Sequence, residues 1–412
     1  MINGINVLSL FDGCSGGQQA LDRLDIKVDN YYASEIDKYA IQVTIANYPN
    51  TIQLGSVVDV DVTKLEKIDL LCGGSPCQSF SFAGKRKGMS TKDSIEILTL
   101  KHYLDLKSQN FEFEGQSYLF WEYMRILTDI RKVNPDVKFL LENVMMGEKW
   151  QKILTQAIGI NPIEINSSLV SAQNRRRLYW TNIGAEQEGL FGDLVCKIPQ
   201  PKDMGILLKD VLEDEVENKY YLSDKLIAGF ERHKERHDNK GTGFGFKPKK
   251  ESDKGNALRA NASICPTYNM IEIKHKYHNE IQKSLSNEKS TTLDAIYYKG
   301  FGVRSGACRQ VVSDCLNENQ LKKFNENVDT DKHNTLTLAQ GRAGSSSEYM
   351  DSVSKIAKIQ GKIRRLTPLE CERLQCIKDN YTAHVSDTQR YKMIGNGWTI
   401  SVISYIFSSL KA

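Results

Sequence analysis

No run of apolar residues in this 412-residue chain approaches the roughly 18 needed for a membrane-spanning helix. Met1-Ile2-Asn3-Gly4 leads almost directly into a strand-like run, so no signal peptide and no membrane partner are expected. Proline is scarce, at nine residues. With 29 glycines and a mean hydropathy of −0.44, the composition excludes collagen-like and wholly disordered chains. Paired cysteines are missing too: Cys14, Cys72, Cys77, Cys196, Cys265, Cys308, Cys315, Cys371 and Cys376 are scattered, with no Cys-x-x-Cys. Neither a disulfide framework nor a metal site is suggested, and a reducing, cytoplasmic setting is expected. Charge of one sign does not dominate. The balance of 55 bases against 51 acids, net +4, permits a polyanionic partner without requiring one. Positive charge gathers at Lys85-Arg86-Lys87, Arg175-Arg176-Arg177, Lys247 to Lys250 and Arg364-Arg365, runs that more often mark solvated faces than sites.

What is present is a rhythm of short apolar strands ending in polar turns. Residues 5–11 read as a buried strand that stops at Asp12-Gly13-Cys14-Ser15-Gly16-Gly17, before a helix over Gln18 to Leu24. Val28 to Ala33 ends in Ser34-Glu35-Ile36-Asp37. Ile68 to Cys72 runs into Gly73-Gly74-Ser75-Pro76-Cys77, and Val137 to Leu141 into Glu142-Asn143-Val144. Such alternation predicts a mainly parallel α/β sheet. The polar stretch between Cys77 and Leu119 reads as a long loop, a candidate lid. From about residue 185 strands shorten, and 185–360 reads as a second domain with a weak Ser/Thr-rich repeat at 263–267, 290–295 and 334–339. Helix returns at Thr367-Pro368-Leu369-Glu370, a cap sequence, and an apolar helix closes the chain over Ile400 to Leu410.

A glycine-bearing turn after the first strand, with an acid at the end of the second, is how an α/β sheet holds a nucleoside-bearing cofactor. Glu35 is that acid, following Asp12 at about the 20 residues expected. The turn lacks Gly-x-Gly-x-x-Gly, so a cofactor without phosphates, such as S-adenosylmethionine, fits better than a dinucleotide. A lone cysteine at a strand end is more often a small buried hydrophobe. At Cys77 the flanking Gly73-Gly74 and the downstream Lys85, Arg86 and Lys87 favour a reactive thiolate instead. Glu142 either caps the next helix or faces Cys77 across the sheet edge. Arg175 and Arg177 alternate, so two guanidiniums on one face would suit phosphate or carbonyl oxygens.

Together these residues resemble the DNA cytosine-5 methyltransferase family. The motifs in order are Phe11-Asp12-Gly13-x-Ser15-Gly16, Gly74-Ser75-Pro76-Cys77-Gln78-Ser79-Phe80-Ser81, Glu142-Asn143-Val144 and Gln173-x-Arg175-x-Arg177. Arg365-Leu366-Thr367-Pro368-x-Glu370-Cys371-x-Arg373-Leu374-Gln375 and Gly395-Asn396-Gly397 complete the set. The likeness covers roughly 5–184 and 361–410. It implies a Rossmann-like S-adenosylmethionine-dependent sheet from 1–184 and 361–412, with a smaller, mostly β target-recognition domain at 185–360. Phe11-Asp12-Gly13 and Trp398 resemble the branch containing the animal de novo enzymes, whereas the Gln/Arg motif is more like bacterial ones; a prokaryotic or phage member is favoured.

The resemblance also implies roles. Cys77 would attack cytosine C6, Glu142 would hold the N3 and amino edge, and Arg177 with Arg175 would bind the O2 side and nearby backbone. The methyl donor would meet Phe11, Asp12, Gly13, Cys14, Ser15, Gly16, Glu35, Ile36, Gly74, Pro76, Leu119, Asn396, Gly397 and Trp398. Ser56 and Val57 stand where relatives often carry an acid for adenine, with Asp59 nearby as a substitute. Gln78, Ser79, Ser81, Lys85 and Arg86 would meet duplex DNA as their loop closes behind a flipped base. S-adenosyl-L-homocysteine would be the product, no metal is required, and a monomer is expected, with any cognate restriction endonuclease acting separately. Rival readings are a tRNA-methylating relative, whose Cys-Phe-Thr motif is missing, a thymidylate-synthase-like enzyme, and a catalytically silent DNA binder.

Overall fold

A computed structural model describes residues 4–76, 89–189, 192–241, 245–260, 269–273 and 362–411. The amino-terminal part alternates β1 (Ile5–Leu10), α1 (Gly16–Asp22), β2 (Val28–Ser34), α2 (Lys38–Asn47), β3 (Ile52–Gln53) and β4 (Leu70–Gly74). Next come β5 (Ser90–Thr91), α3 (Leu100–Ser108), β6 (Phe113–Glu114), α4 (Phe120–Val133), β7 (Lys138–Val144) and α5 (Glu148–Ile158). They are followed by β8 (Ile163–Asn166), β9 (Gln173–Asn174), β10 (Arg176–Thr181), the pair β11 (Ala185–Glu188) and β12 (Asp193–Cys196), and α6 (Asp224–Asp238). The remaining elements are β13 (Gly255–Asn256), β14 (Met270–Ile273), β15 (Lys362–Arg365), α7 (Pro368–Leu374), α8 (Asp387–Asn396) and α9 (Ile400–Phe407).

Seven strands form one sheet in the order β3-β2-β1-β4-β7-β10-β8. Val7, Leu8 and Leu10 of β1, Leu70 and Leu71 of β4, and Phe139 to Leu141 of β7 are all buried, which is why these strands read as unbroken apolar runs. The sheet is mainly parallel, as expected, and mixed through one reversed strand. Six of its strands point the same way, and β10 runs against them, antiparallel to both β7 and β8. Residues 167–175 between β8 and β10 are too few for the helical crossover that parallel neighbours need. Strand order reverses between the parallel neighbours β1 and β4, whose carboxyl ends therefore flank the crevice where open α/β sheets hold ligands.

The expected loop between Cys77 and Leu119 is corrected over its described part, 89–119. There α3 starts at a Thr99 side chain that accepts from His102 N, and β5 pairs with β6. Met89, Ile97, Tyr103 and Leu106 enter the main core beside Phe120, Trp121, Ile126 and Leu127 of α4. Glu122 of α4 is fully buried, bound to Lys107, Tyr103 and Arg125; Arg125 also donates to the carbonyls of Val57 (3.3 Å) and Val60 (3.1 Å). This charge cluster ties two helices to the segment after β3. At the other end, Thr367 and Glu370 form the reciprocal capping box of α7. The closing helix α9 packs on α1, where Ser404 Oγ donates to the Ala20 carbonyl at 3.4 Å and Arg23 to Ser401 at 3.0 Å.

Two compact units result. One comprises Met1–Val216, Glu251–Asn269 and Leu366–Ala412; the other comprises Glu217–Lys250 and Met270–Arg365. In the second, Ser223 caps α6, Phe230 packs on Phe246 with ring centroids 5.2 Å apart, and β14 pairs antiparallel with β15. The three repeat segments expected at 263–267, 290–295 and 334–339 lie outside the described residues. No helix among the described residues is long and apolar enough to cross a membrane.

Candidate active site

The turn after β1 is held in an unusual backbone. Phe11, Gly13 and Ser15 all have left-handed φ, at 56°, 59° and 57°. Two of the three carry side chains, so the conformation is strained and must be enforced by its surroundings. Asp12 does much of this: its carboxylate accepts from Tyr31 Oη at 2.9 Å and Ser15 Oγ at 2.5 Å. Burial pushes its pKa up to about 6 against the lowering effect of those hydrogen bonds. Cys14 is buried, and desolvation pushes its thiol up to about 12, so it stays neutral; its carbonyl accepts from Tyr381 Oη at 2.9 Å. The Asp12 carboxylate and the Cys14 main chain thus build the turn from within.

Glu35, at the end of β2, closes the turn from the other side. One carboxylate oxygen accepts from Gly13 N at 2.8 Å; the other accepts from Ile36 N at 2.7 Å and Asp37 N at 2.8 Å. Beside it Ile36 is 70% exposed, and a Cβ built on Gly13 or Gly55 would meet nothing within 4 Å. Ser56 caps the short helical turn after β3 by accepting from Val58 N, Val57 is buried under it, and Asp59 is exposed. Phe11 and Leu119 pack partly buried against the main core. An anchored carboxylate, open space over the turn and an uncovered apolar side chain fit a nucleoside-bearing methyl donor that has no phosphates. Among the described residues no group of three or more His, Cys, Asp or Glu could hold a metal.

On the neighbouring strands stands the acid. Glu142 of β7 and Gly74 of β4 are register partners. Arg177 of β10 reaches one Glu142 oxygen with Nε at 2.9 Å, and Trp398 Nε1 donates to the other at 3.2 Å. A Cβ on Gly74 would meet Glu142 Oε2 at 2.9 Å and Trp398 Nε1 at 3.0 Å, so a residue without a side chain is what lets acid and indole meet over β4. The next residue, Asn143, donates to the carbonyl and hydroxyl of Ser75 (3.3 and 3.0 Å), fixing the chain just before Pro76. Cys77, Gln78, Ser79, Ser81, Lys85 and Arg86 lie outside the described residues.

Arg175 and Arg177 have different partners. Arg175 is only 4% exposed and donates to the carbonyls of Leu258 (3.2 Å), Gly395 (3.3 Å) and Gly397 (2.9 Å). The geometry gives it main-chain oxygens, whereas Arg177 meets the acid. Gly395 has a further reason to be glycine: its Cβ would lie 2.3 Å from the Arg259 carbonyl carbon. Asn396 is exposed. Three residues not singled out from the sequence complete the arrangement: Asn143, Gln173 and Gln375. All three stand inside the recognised motifs, and that position was the available signal.

A strand order reversing at β1/β4, a cofactor-type turn and a braced acid on β7 define a methyltransferase of the S-adenosylmethionine-dependent α/β class. Residues 5–103 and 107–412 match the family model described as C-5 cytosine-specific DNA methylase, and the chain belongs to that family: it is a DNA cytosine-5 methyltransferase. It is 27% identical over 463 aligned positions to the orphan methyltransferase M.SPRI of Bacillus phage SPR, covering 98% of this chain and 97% of that one. To the type II methyltransferase M.HpaII of Haemophilus parainfluenzae it is 25% identical, covering 96% and 86%. Among solved structures, DNMT2 from Spodoptera frugiperda superposes with a TM-score of 0.54 at 17% identity, covering 99% of this chain and all (100%) of that one. S. pombe Dnmt2 gives 0.54 at 14%, over 99% and 98%. At these identities the structural likeness speaks to the fold.

Proposed function

We propose that the chain methylates C5 of a flipped-out cytosine within a specific duplex DNA sequence, through a covalent bond between Cys77 and C6. The observation that carries this reading is the doubly braced carboxylate of Glu142, the register partner of Gly74, which itself stands three residues before Cys77. Stacked cytosine hides C6, so the base has to leave the helix for a thiolate to reach it. Cys77 adds its sulfur to C6, and the ring electrons move toward C5, which becomes nucleophilic. Glu142 meets the N3 and amino edge and Arg177 the O2 side, stabilising the charge that builds up in the ring. S-adenosylmethionine, when bound by the Phe11 to Gly16 turn, Glu35, Ile36 and Trp398, supplies the methyl group that C5 receives. Loss of the C5 proton then lets the Cys77–C6 bond break and returns the thiolate. S-adenosyl-L-homocysteine is the co-product, and none of these steps calls for a metal.

Segment 185–360 would read the target sequence, by side chains meeting base edges. The protein would act as a monomer in the cytoplasm of a bacterial or phage-infected cell, any partner endonuclease working separately. The test is transfer of labelled methyl to mixed-sequence duplex DNA, tRNA and free dCMP in parallel, with bisulfite sequencing of labelled DNA. Label at cytosine C5 of DNA is expected, lost in Cys77→Ser while cofactor and DNA still bind. Label confined to tRNA or dCMP would reassign the substrate, and an active Cys77→Ser enzyme would overturn the mechanism.

A further inference from the structure

We propose that Trp398 is a positioning residue for Glu142, and that Gln173, Arg175 and Gln375 exist to hold Trp398 in place. The inference rests on the reading of Glu142 as the acid that meets the cytosine. An indole has a single donor, and here it is given to Glu142 Oε2 at 3.2 Å, while Arg177 takes the other oxygen. The far edge of the same ring lies by the cofactor turn: a Cβ on Gly16 would meet Trp398 Cε3 at 3.5 Å, and one on Gly17 would meet Cζ3 at 3.8 Å. One rigid side chain therefore spans the methyl-donor turn and the acid.

Its own backbone is fixed by a buried polar network. Arg175 donates to the carbonyls of Gly395 and Gly397. Gln375 Nε2 donates to the Ile394 carbonyl (2.9 Å) and the Gly397 carbonyl (3.2 Å). Gln375 Oε1 accepts from Gln173 Nε2 at 2.8 Å and from Thr399 Oγ1 at 2.7 Å, and Ser167 Oγ donates to Thr399 at 2.9 Å. Gln173 and Gln375 are fully buried, Arg175 and Thr399 nearly so. Partners on both sides of Trp398, all shielded from water, leave residues 394–399 little freedom to drift. A cofactor cover alone would need the ring's apolar face; it would not need the N–H aimed at Glu142.

The test removes the N–H and keeps the ring. β-(3-benzothienyl)alanine, with sulfur in place of the indole nitrogen, is placed at position 398 of the full chain, beside a Trp398→Phe variant. Single-turnover methyl transfer is measured at saturating DNA and S-adenosylmethionine, with cofactor affinity by calorimetry. In the benzothienyl variant, which keeps the ring, losing a hydrogen bond to a charged group should slow transfer by about tenfold while cofactor affinity stays within about threefold. In a Glu142→Gln background, Trp398→Phe should add no further loss, because the two residues act as a unit. Independent, multiplying losses would overturn the proposal, as would an unchanged saturated rate with the whole effect in cofactor affinity. A wild-type rate in Glu142→Gln alone would instead remove the reading of Glu142 beneath it, an outcome the single variant separates from the rest.

Discussion

Asp12 shows how one buried carboxylate shapes the turn after β1 and leaves a mark on stability. Burial holds its proton up to about pH 6 in the folded chain, well above the ordinary aspartate value of 3.8. Between those values the folded state binds the proton that the unfolded chain has lost, so stability falls as pH rises through this window and stays lower above it. Asp12→Asn has no such titration. The melting temperature of Asp12→Asn minus that of wild type should therefore widen from pH 4.5 to pH 7.5; a constant difference would contradict the assignment. The hydroxyls of Tyr31 and Ser15 can still hydrogen-bond the asparagine amide, which keeps the comparison between two similar turns.

Among the elements, α3 and α4 are joined by charge as well as by apolar contact. Glu122 is fully buried between Lys107 and Arg125, and Arg125 in turn holds the carbonyls after β3. Removing a buried carboxylate leaves its cations uncompensated, so Glu122→Ala should lower unfolding free energy by about 2–4 kcal/mol in urea. A change below about 0.5 kcal/mol, typical of surface substitutions, would show that the cluster is solvated. This junction was not legible in the sequence. Residues 89–114 scatter ten apolar side chains among polar ones, and the pattern alone does not say that Met89, Ile97, Tyr103 and Leu106 are the four to be buried; α4 packing over them decides it. The sheet strands were legible because burial on both faces writes an apolar run bounded by turn residues. Strand-end groups such as Glu35 and Glu142 were legible for the same reason. Pairing of Gln173 with Gln375, 202 positions apart, is a purely tertiary contact with no local trace. Arg175 illustrates the limit of alternation: it shares a motif with Arg177 yet turns to carbonyls, because residues 395–397 lie beside it.

At the scale of the molecule, the chain leaves and re-enters along one antiparallel pair. Met270 is opposite Arg365 and Ile273 opposite Lys362, so residues 274–361 begin and end at adjacent positions. Replacing that stretch with a short glycine-rich hairpin linker should leave the first unit folded, with S-adenosylmethionine affinity within about threefold, because closing a short loop costs little. Sequence-selective methylation should be lost. Retained selectivity would place target reading elsewhere, and lost cofactor binding would show that the first unit depends on the segment. The first unit also brings together residues far apart in sequence: α9 packs on α1, and Trp398 lies by Gly16 and Gly17. During synthesis, at about 5–20 residues per second, α1 leaves the ribosome roughly 20–75 s before α9. For that interval the amino-terminal sheet has no partner for one helix, and the nascent chain carries an apolar surface that waits for α9 to cover it.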